Sequence, residues 1–244
     1  MEHFPLQAPP FDGNSRVVAA GNALAWLRAG WALFAAYPGP WIALSVVLLV
    51  LVLGVLIVPL VGALAVNLLT PLLAAGMLLA GEKASRGERP EIADLFAGLQ
   101  RRTSELVMLG VLYMAALLIV LGVVVVLGGA SVWGLAMGSP LGIGLAFGGI
   151  IFTLLLSLAL SLPIIMAIWF APALVVFNNM APRAALTASF YACLKNPLVL
   201  FVYGLIVVVL MFFAALPVML GFLVLLPVIA GSLYASYRDI FVAN

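Results

Sequence analysis

The chain has 244 residues, 67% of them hydrophobic and only 7% charged, with a formal net charge of +2 and a mean hydropathy of +1.35. A soluble domain carries about 25% charged residues, so these values exclude one and define a polytopic membrane protein, with several runs at or beyond the ~20 apolar residues that cross a bilayer core. The ten Lys and Arg are too few and too scattered for a nucleic-acid surface, so no nucleic-acid partner is expected, and the single cysteine, Cys193, excludes an intramolecular disulfide or a CxxC pair.

Residues 1–13, rich in Pro and polar side chains, predict a short mobile N-terminal tail ahead of a single integral membrane domain over 14–244. The start lacks the basic stretch and apolar run of a cleaved signal, so the first span is expected to act as the insertion signal itself. Asn14 or Ser15 can cap a helix running to about Ala36, in which Leu24, Leu27, Trp31 and Phe34 recur at three- and four-residue steps. That pattern predicts a helix lying in the membrane interface. Tyr37-Pro38-Gly39-Pro40 breaks it, and Trp41 opens a first span over 41–61, followed by a second over 62–80.

The stretch from Glu82 to Glu105 then holds ten of the eighteen charged side chains, five basic and five acidic. Inside it, Pro90 can sit in the first turn of a second interfacial helix. Ile92, Leu95, Phe96 and Leu99 form its apolar face, and Arg101 and Arg102 stand at its C-terminal end, where the helix dipole favours cations. A third span is predicted over 106–127, then a Gly-rich, charge-free connection over 128–141. The region 142–178 is longer than one straight span needs at ~1.5 Å per residue. Pro163 and Pro172 must kink or break it, so it is either one bent helix or a helix plus a re-entrant segment. Residues 183–195 form a third amphipathic stretch with Leu186, Phe190 and Leu194 on one side, and the last two spans cover 198–216 and 217–236.

The expected fold class is therefore an all-α membrane protein whose six transmembrane helices form three hairpins, each preceded by an interfacial amphipathic helix. With six spans, all ten Lys and Arg fall on one side and the three opposite turns contain none. Positive residues in short loops mark the cytoplasmic side, so both termini are expected there. A seventh span would export Arg183 and Lys195. The spacing also suggests a threefold parallel repeat: Pro71 precedes Lys83 by twelve positions, while Pro172 precedes Arg183 and Pro227 precedes Arg238 by eleven.

Ala25-Trp26-Leu27-Arg28-Ala29-Gly30-Trp31, Pro71-Leu72-Leu73-Ala74-Ala75-Gly76-Met77, Asp94-Leu95-Phe96, Phe170-Ala171-Pro172-Ala173-Leu174 and Tyr234-Ala235-Ser236-Tyr237-Arg238-Asp239 resemble uncharacterised proteobacterial inner-membrane proteins similar in plan to the YciC-like group. The resemblance spans almost the whole chain. It implies an inner-membrane location and no particular activity.

Chemistry has few footholds. His3 is the lone histidine, in the tail, and no GxSxG elbow, P-loop or paired-His motif occurs, so neither an enzyme nor a cofactor is expected. The acids of the central loop match no metal-loop spacing and have Lys and Arg beside them. No charge falls inside a span, which argues against ion coupling. Asn67 and Thr70, just before Pro71, form the most polar intramembrane pair. Local bonding to their own helix competes there with a binding role. Ser157 belongs to a stripe of small residues with Gly149, Thr153 and Ser161, where helix packing competes with a dimer face or a pore lining.

Two functions remain. One is a non-enzymatic envelope protein contacting membrane lipids, other membrane proteins or itself, with Arg28, Arg101, Arg102 and Lys195 as candidate headgroup contacts. The other is an uncoupled permease or lipid-translocating protein with a cavity near Asn67, Thr70, Pro71, Ser157, Pro172 and Pro227, since matched helix interruptions in repeated units point to cavities.

Overall fold

A computed structural model describes residues 13–59, 61–136 and 140–242, and all its regular structure is helical. The elements in chain order are α1 Asn22–Ala36, α2 Pro38–Leu56, α3 Val61–Ser85, α4 Ile92–Leu95, α5 Gly98–Arg101, α6 Thr103–Ala136, α7 Pro140–Trp169, α8 Ala171–Asn178, α9 Pro182–Lys195, α10 Pro197–Ala215 and α11 Phe222–Tyr237, with a π-helical turn over Arg238–Val242. Among the described residues six stretches are long and apolar enough to cross a membrane: α2, α3, most of α6, α7 with α8, α10, and α11 with the π turn. Proline opens α2, α8, α9 and α10 within their first two positions, where its missing N–H has no helical acceptor to lose.

The surface of the spans is apolar. Val50, Leu53, Ile119, Val126, Leu154, Leu158, Phe201 and Phe212 are all exposed. In water such a surface would drive aggregation; in a bilayer, hydrocarbon is its solvent. The core gathers at one end of the bundle, where Trp26, Leu78, Leu106, Leu109, Phe170, Leu174, Tyr203 and Ile240 are buried together. A second cluster joins Phe34, Trp41, Leu44, Met77 and Leu95.

The structure corrects several sequence expectations. Residues 1–12 of the expected mobile tail lie outside the described residues. The first helix starts at Asn22 after Gly21, and Asn14 and Ser15 do not cap it. Residues 13–20 instead run as a non-helical strap, held because Arg16 N donates to Ile240 O at 3.0 Å and Val18 N donates to Asn196 Oδ1 at 2.8 Å. Of the apolar residues in its pattern, Leu27 and Phe34 are buried with Ala23, Trp26 and Gly30, while Leu24 and Trp31 are exposed. In α9 the small residues Ala185, Ser189, Ala192 and Cys193 are buried and Leu194 is exposed. In a membrane the small residues let the helix backbones approach closely, and larger side chains fill the space beside those contacts.

The expected single helix after Pro90 is two short turns, α4 and α5, and of its predicted apolar face only Leu95 is fully buried. Gly76 explains this arrangement: a Cβ there would collide with the Leu95 backbone carbonyl, so the α4 backbone lies directly on α3. The region 142–178 is two consecutive helices broken at Phe170. Pro172 therefore opens α8 rather than interrupting a helix, unlike Pro71 and Pro227, which lie inside α3 and α11. Pro172 has no N–H to donate to the carbonyl four residues back and its ring crowds that carbonyl, so the helix breaks just ahead of α8. Ser189 of α9 bonds the freed groups: Phe170 N donates to its Oγ at 3.0 Å, and the hydroxyl donates to Met166 O at 2.7 Å.

Candidate functional site: the charged end of the bundle

The four segments that carry every Lys and Arg of the chain are tied to one another. Asp239 is the first knot. Its carboxylate accepts from Asn22 Nδ2 at 2.7 Å and Trp26 Nε1 at 2.8 Å, and it pairs with the Arg16 guanidinium. Asn196 is the second: besides taking the Val18 N–H, its Nδ2 donates to Arg16 O and to Ala192 O, both at 2.9 Å. Together they hold the N-terminal strap against the end of α11 and the junction of α9 and α10. Tyr37 Oη donates to Gly87 O at 2.5 Å, linking the α1–α2 turn to the central loop, and Tyr237 Oη donates to Asn178 Oδ1 at 2.5 Å.

In the central loop, Lys83 lies 3.3 Å from Asp94 and 3.6 Å from Glu91. Asp94 also accepts the Glu91 N–H at 2.7 Å, closing a capping box that starts α4. Arg86 pairs with Glu82 at 2.6 Å one turn back. These pairs sit at or near the surface, where each contributes about 0–1 kcal/mol, so they shape the loop more than they stabilise the protein.

The four candidate headgroup cations separate into two kinds. Arg102 is half-buried, donates to Asn179 O at 3.1 Å and lies 3.4 Å from Glu105, so it is part of the scaffold. Arg28, Arg101 and Lys195 are exposed, and among the described residues no carboxylate pairs with them. Lys195 Nζ donates to Ser15 O at 3.3 Å. Arg183 is likewise exposed, and it shares a polar depression of about 610 Å³ with Asn14, Thr187 and Lys195.

The candidate cavity residues are not brought together. Asn67 Nδ2 donates to Ala63 O at 2.8 Å, Thr70 Oγ1 to Val66 O at 2.7 Å and Ser157 Oγ to Leu154 O at 2.8 Å, each within its own helix. Pro71, Pro172 and Pro227 are buried, beside the core residues Leu72, Ala171, Ala173 and Val228. None of the described cavities is lined by any of these six. Two apolar cavities among the described residues lie elsewhere: a groove of about 560 Å³ between α7, α9 and α10, and a smaller one of about 210 Å³ beside Tyr113, Pro163 and Leu186. Of the small-residue stripe, Thr153 is buried, and Gly149 faces Ser131 of α6 so closely that a Cβ would collide with the Ser131 hydroxyl.

Cys193 is buried on α9, with Sγ 3.5 Å from Met166 O, and burial pushes its thiol up to about 12. It is a packing residue with no thiolate at neutral pH. Among the described residues no three of His, Cys, Asp and Glu come together.

Sequence reasoning missed Asp239, Ser189, Asn196 and the close-packed glycines. The missed signal was Asp239 as an acid following an apolar span, seen only as part of a motif.

Six apolar helices and a single charged end define a multi-pass integral membrane protein. The chain is 30% identical over 205 residues to a protein of Burkholderia thailandensis described as a probable inner membrane protein, a match covering 78% of this chain and 73% of that one. The chain belongs to that family of bacterial inner-membrane proteins. No family model and no solved structure matches it.

Proposed function

We propose that the protein is a non-enzymatic component of the bacterial inner membrane whose charged end contacts anionic phospholipid headgroups. The observation that carries this is the split among its cations: Arg28, Arg101, Arg183 and Lys195 are exposed without a described carboxylate partner, while Arg16, Lys83, Arg86 and Arg102 are paired. A cation held near an anionic leaflet gains about 1 kcal/mol. The charged end is the cytoplasmic one in this reading, with both termini inside, because all ten basic residues belong to it. The permeation reading has less support, since its prolines are buried among core side chains and its polar groups bond their own helices. Within inner-membrane proteins the YciC-like plan remains the likeness we favour. The motifs that suggest it hold Asp94 and Asp239, which bond within the charged end, and Gly30, Gly76 and Phe170, which sit at close contacts or breaks between helices.

The test is lipid retention by the purified full chain, read by native mass spectrometry in detergent with phosphatidylglycerol and phosphatidylcholine in equal amounts. Phosphatidylglycerol is expected to be retained preferentially. The triple substitution R28E, R101E, K195E should abolish the preference without changing the elution volume. Equal retention of both lipids by the native protein would end this reading.

A further inference from the structure

We propose that the groove between α7, α9 and α10 is a binding site for one acyl chain of an anionic glycerophospholipid whose phosphate sits at Lys195. The inference rests on the lipid-contact reading above and gives it a defined site. The groove runs along α10 from Pro197 to Val208. At ~1.5 Å per residue that is about 16 Å, close to half of a ~30 Å hydrocarbon core, so its depth matches one leaflet. Its walls are apolar throughout, with Ile165, Met166 and Trp169 on α7 facing Leu200, Phe201 and Leu205 on α10. Its volume of about 560 Å³ lies within the range of pockets that enclose small molecules.

Two features say what occupies it. Gly204 lines the groove within an otherwise bulky helix, and no atom lies within 4 Å of where its Cβ would be. Unlike Gly30 or Gly76, it receives no neighbouring backbone; what its missing side chain provides is space. The mouth lies beside the turn that carries Lys195, between the lining residues Cys193 and Pro197; this lysine is exposed with no described carboxylate beside it, its Nζ donating to Ser15 O at the edge of the neighbouring depression. Neither α9 nor α10 contains an acid. A chain in the groove with its headgroup at that mouth satisfies both ends at once.

The test uses phosphatidylglycerol and phosphatidylcholine carrying a photoactivatable diazirine midway along one acyl chain, each mixed into vesicles containing the full chain, with adducts mapped by mass spectrometry. Adducts of the phosphatidylglycerol probe are expected to concentrate on Ile165, Leu200, Phe201 and Leu205, at least fivefold over the lipid-facing Val50 and Leu53 of α2. Gly204→Phe should cut the groove adducts at least fivefold and leave those on α2 unchanged. Gly204→Leu, a smaller filler, gives the same reading if the Phe variant loses monodispersity. Lys195→Glu should erase the phosphatidylglycerol preference in the groove while phosphatidylcholine adducts persist. Equal labelling of the groove and α2, or groove adducts unaffected by either filler, overturns the site. Equal groove labelling by the two probes overturns the headgroup assignment. A phosphatidylglycerol preference persisting in the retention measurement would then show that the general lipid reading survives without this site.

Discussion

Asp239 gathers donors from three side chains of the N-terminal segment, Arg16, Asn22 and Trp26, and so anchors the start of the chain to its end. Asp239→Ala removes the common acceptor and leaves those donors unpaired, at an expected cost of about 1–3 kcal/mol. A lower midpoint in a detergent thermal melt, with elution from gel filtration unchanged at low temperature, checks it. Gly76 is constrained by space, not charge. Gly76→Val inserts a branched side chain where even one Cβ meets the Leu95 carbonyl, so overpacking should cost at least the ~1–3 kcal/mol typical of filled cores and broaden the gel-filtration peak. Cys193 yields a pH prediction. Because burial raises its thiol to about 12, the thiolate fraction stays far below that of an exposed cysteine at pH 8 and rises about tenfold per pH unit up to that value. A membrane-permeant maleimide should therefore leave the native protein unlabelled at pH 8 and label it after unfolding in dodecyl sulfate. Rapid native labelling would show that α9 opens.

The elements depart from their sequence pattern where tertiary contacts outweigh it. The break at Phe170 is legible from Pro172, but the partner that makes it tolerable is Ser189, nineteen positions on and on another helix. Ser189→Ala leaves Phe170 N and Met166 O without that bond, and a loss of about 1–3 kcal/mol is expected. Ser189→Cys, which keeps only a weak donor, should fall between, and the two variants compared by thermal melt test whether the hydroxyl or merely the volume matters. At the crossing of α1 and α11 a Cβ on Gly231 would lie 3.0 Å from the Gly30 Cα, so the backbones nearly touch. Nothing in the periodicity of α1 announced this, because a glycine scores as a gap in an apolar pattern. The pattern Leu24, Leu27, Trp31 and Phe34 divides in the fold, with Leu27 and Phe34 buried and Leu24 and Trp31 exposed. In α1 the close approach to α11 is made at Gly30, while Trp26, Leu27 and Phe34 are buried beside it and Leu24 and Trp31 stay exposed.

At the scale of the whole molecule, the exposed cations without carboxylate partners and the exposed apolar spans separate two surroundings: a polar one at the charged end and hydrocarbon along the helices. If the charged end is cytoplasmic, reporter fusions after Asn244 and between Arg86 and Gly87 should both report the cytoplasm, and one in the turn near Met219 the opposite side. A periplasmic signal at either of the first two sites would reverse the orientation. The membrane class, the six spans and the gathering of every basic residue into four segments were determined by the sequence alone, because transfer to hydrocarbon is a property of composition and length and is felt residue by residue. Only the tertiary structure decided which faces meet, that the strap of residues 13–20 crosses to Asn196 and Ile240, and that the intramembrane prolines lie in packed surroundings while the open groove lies beside Gly204. The physical reason is that inside a membrane, helix association is governed by close approach and a few hydrogen bonds between distant residues, and neither leaves a periodic trace in hydropathy.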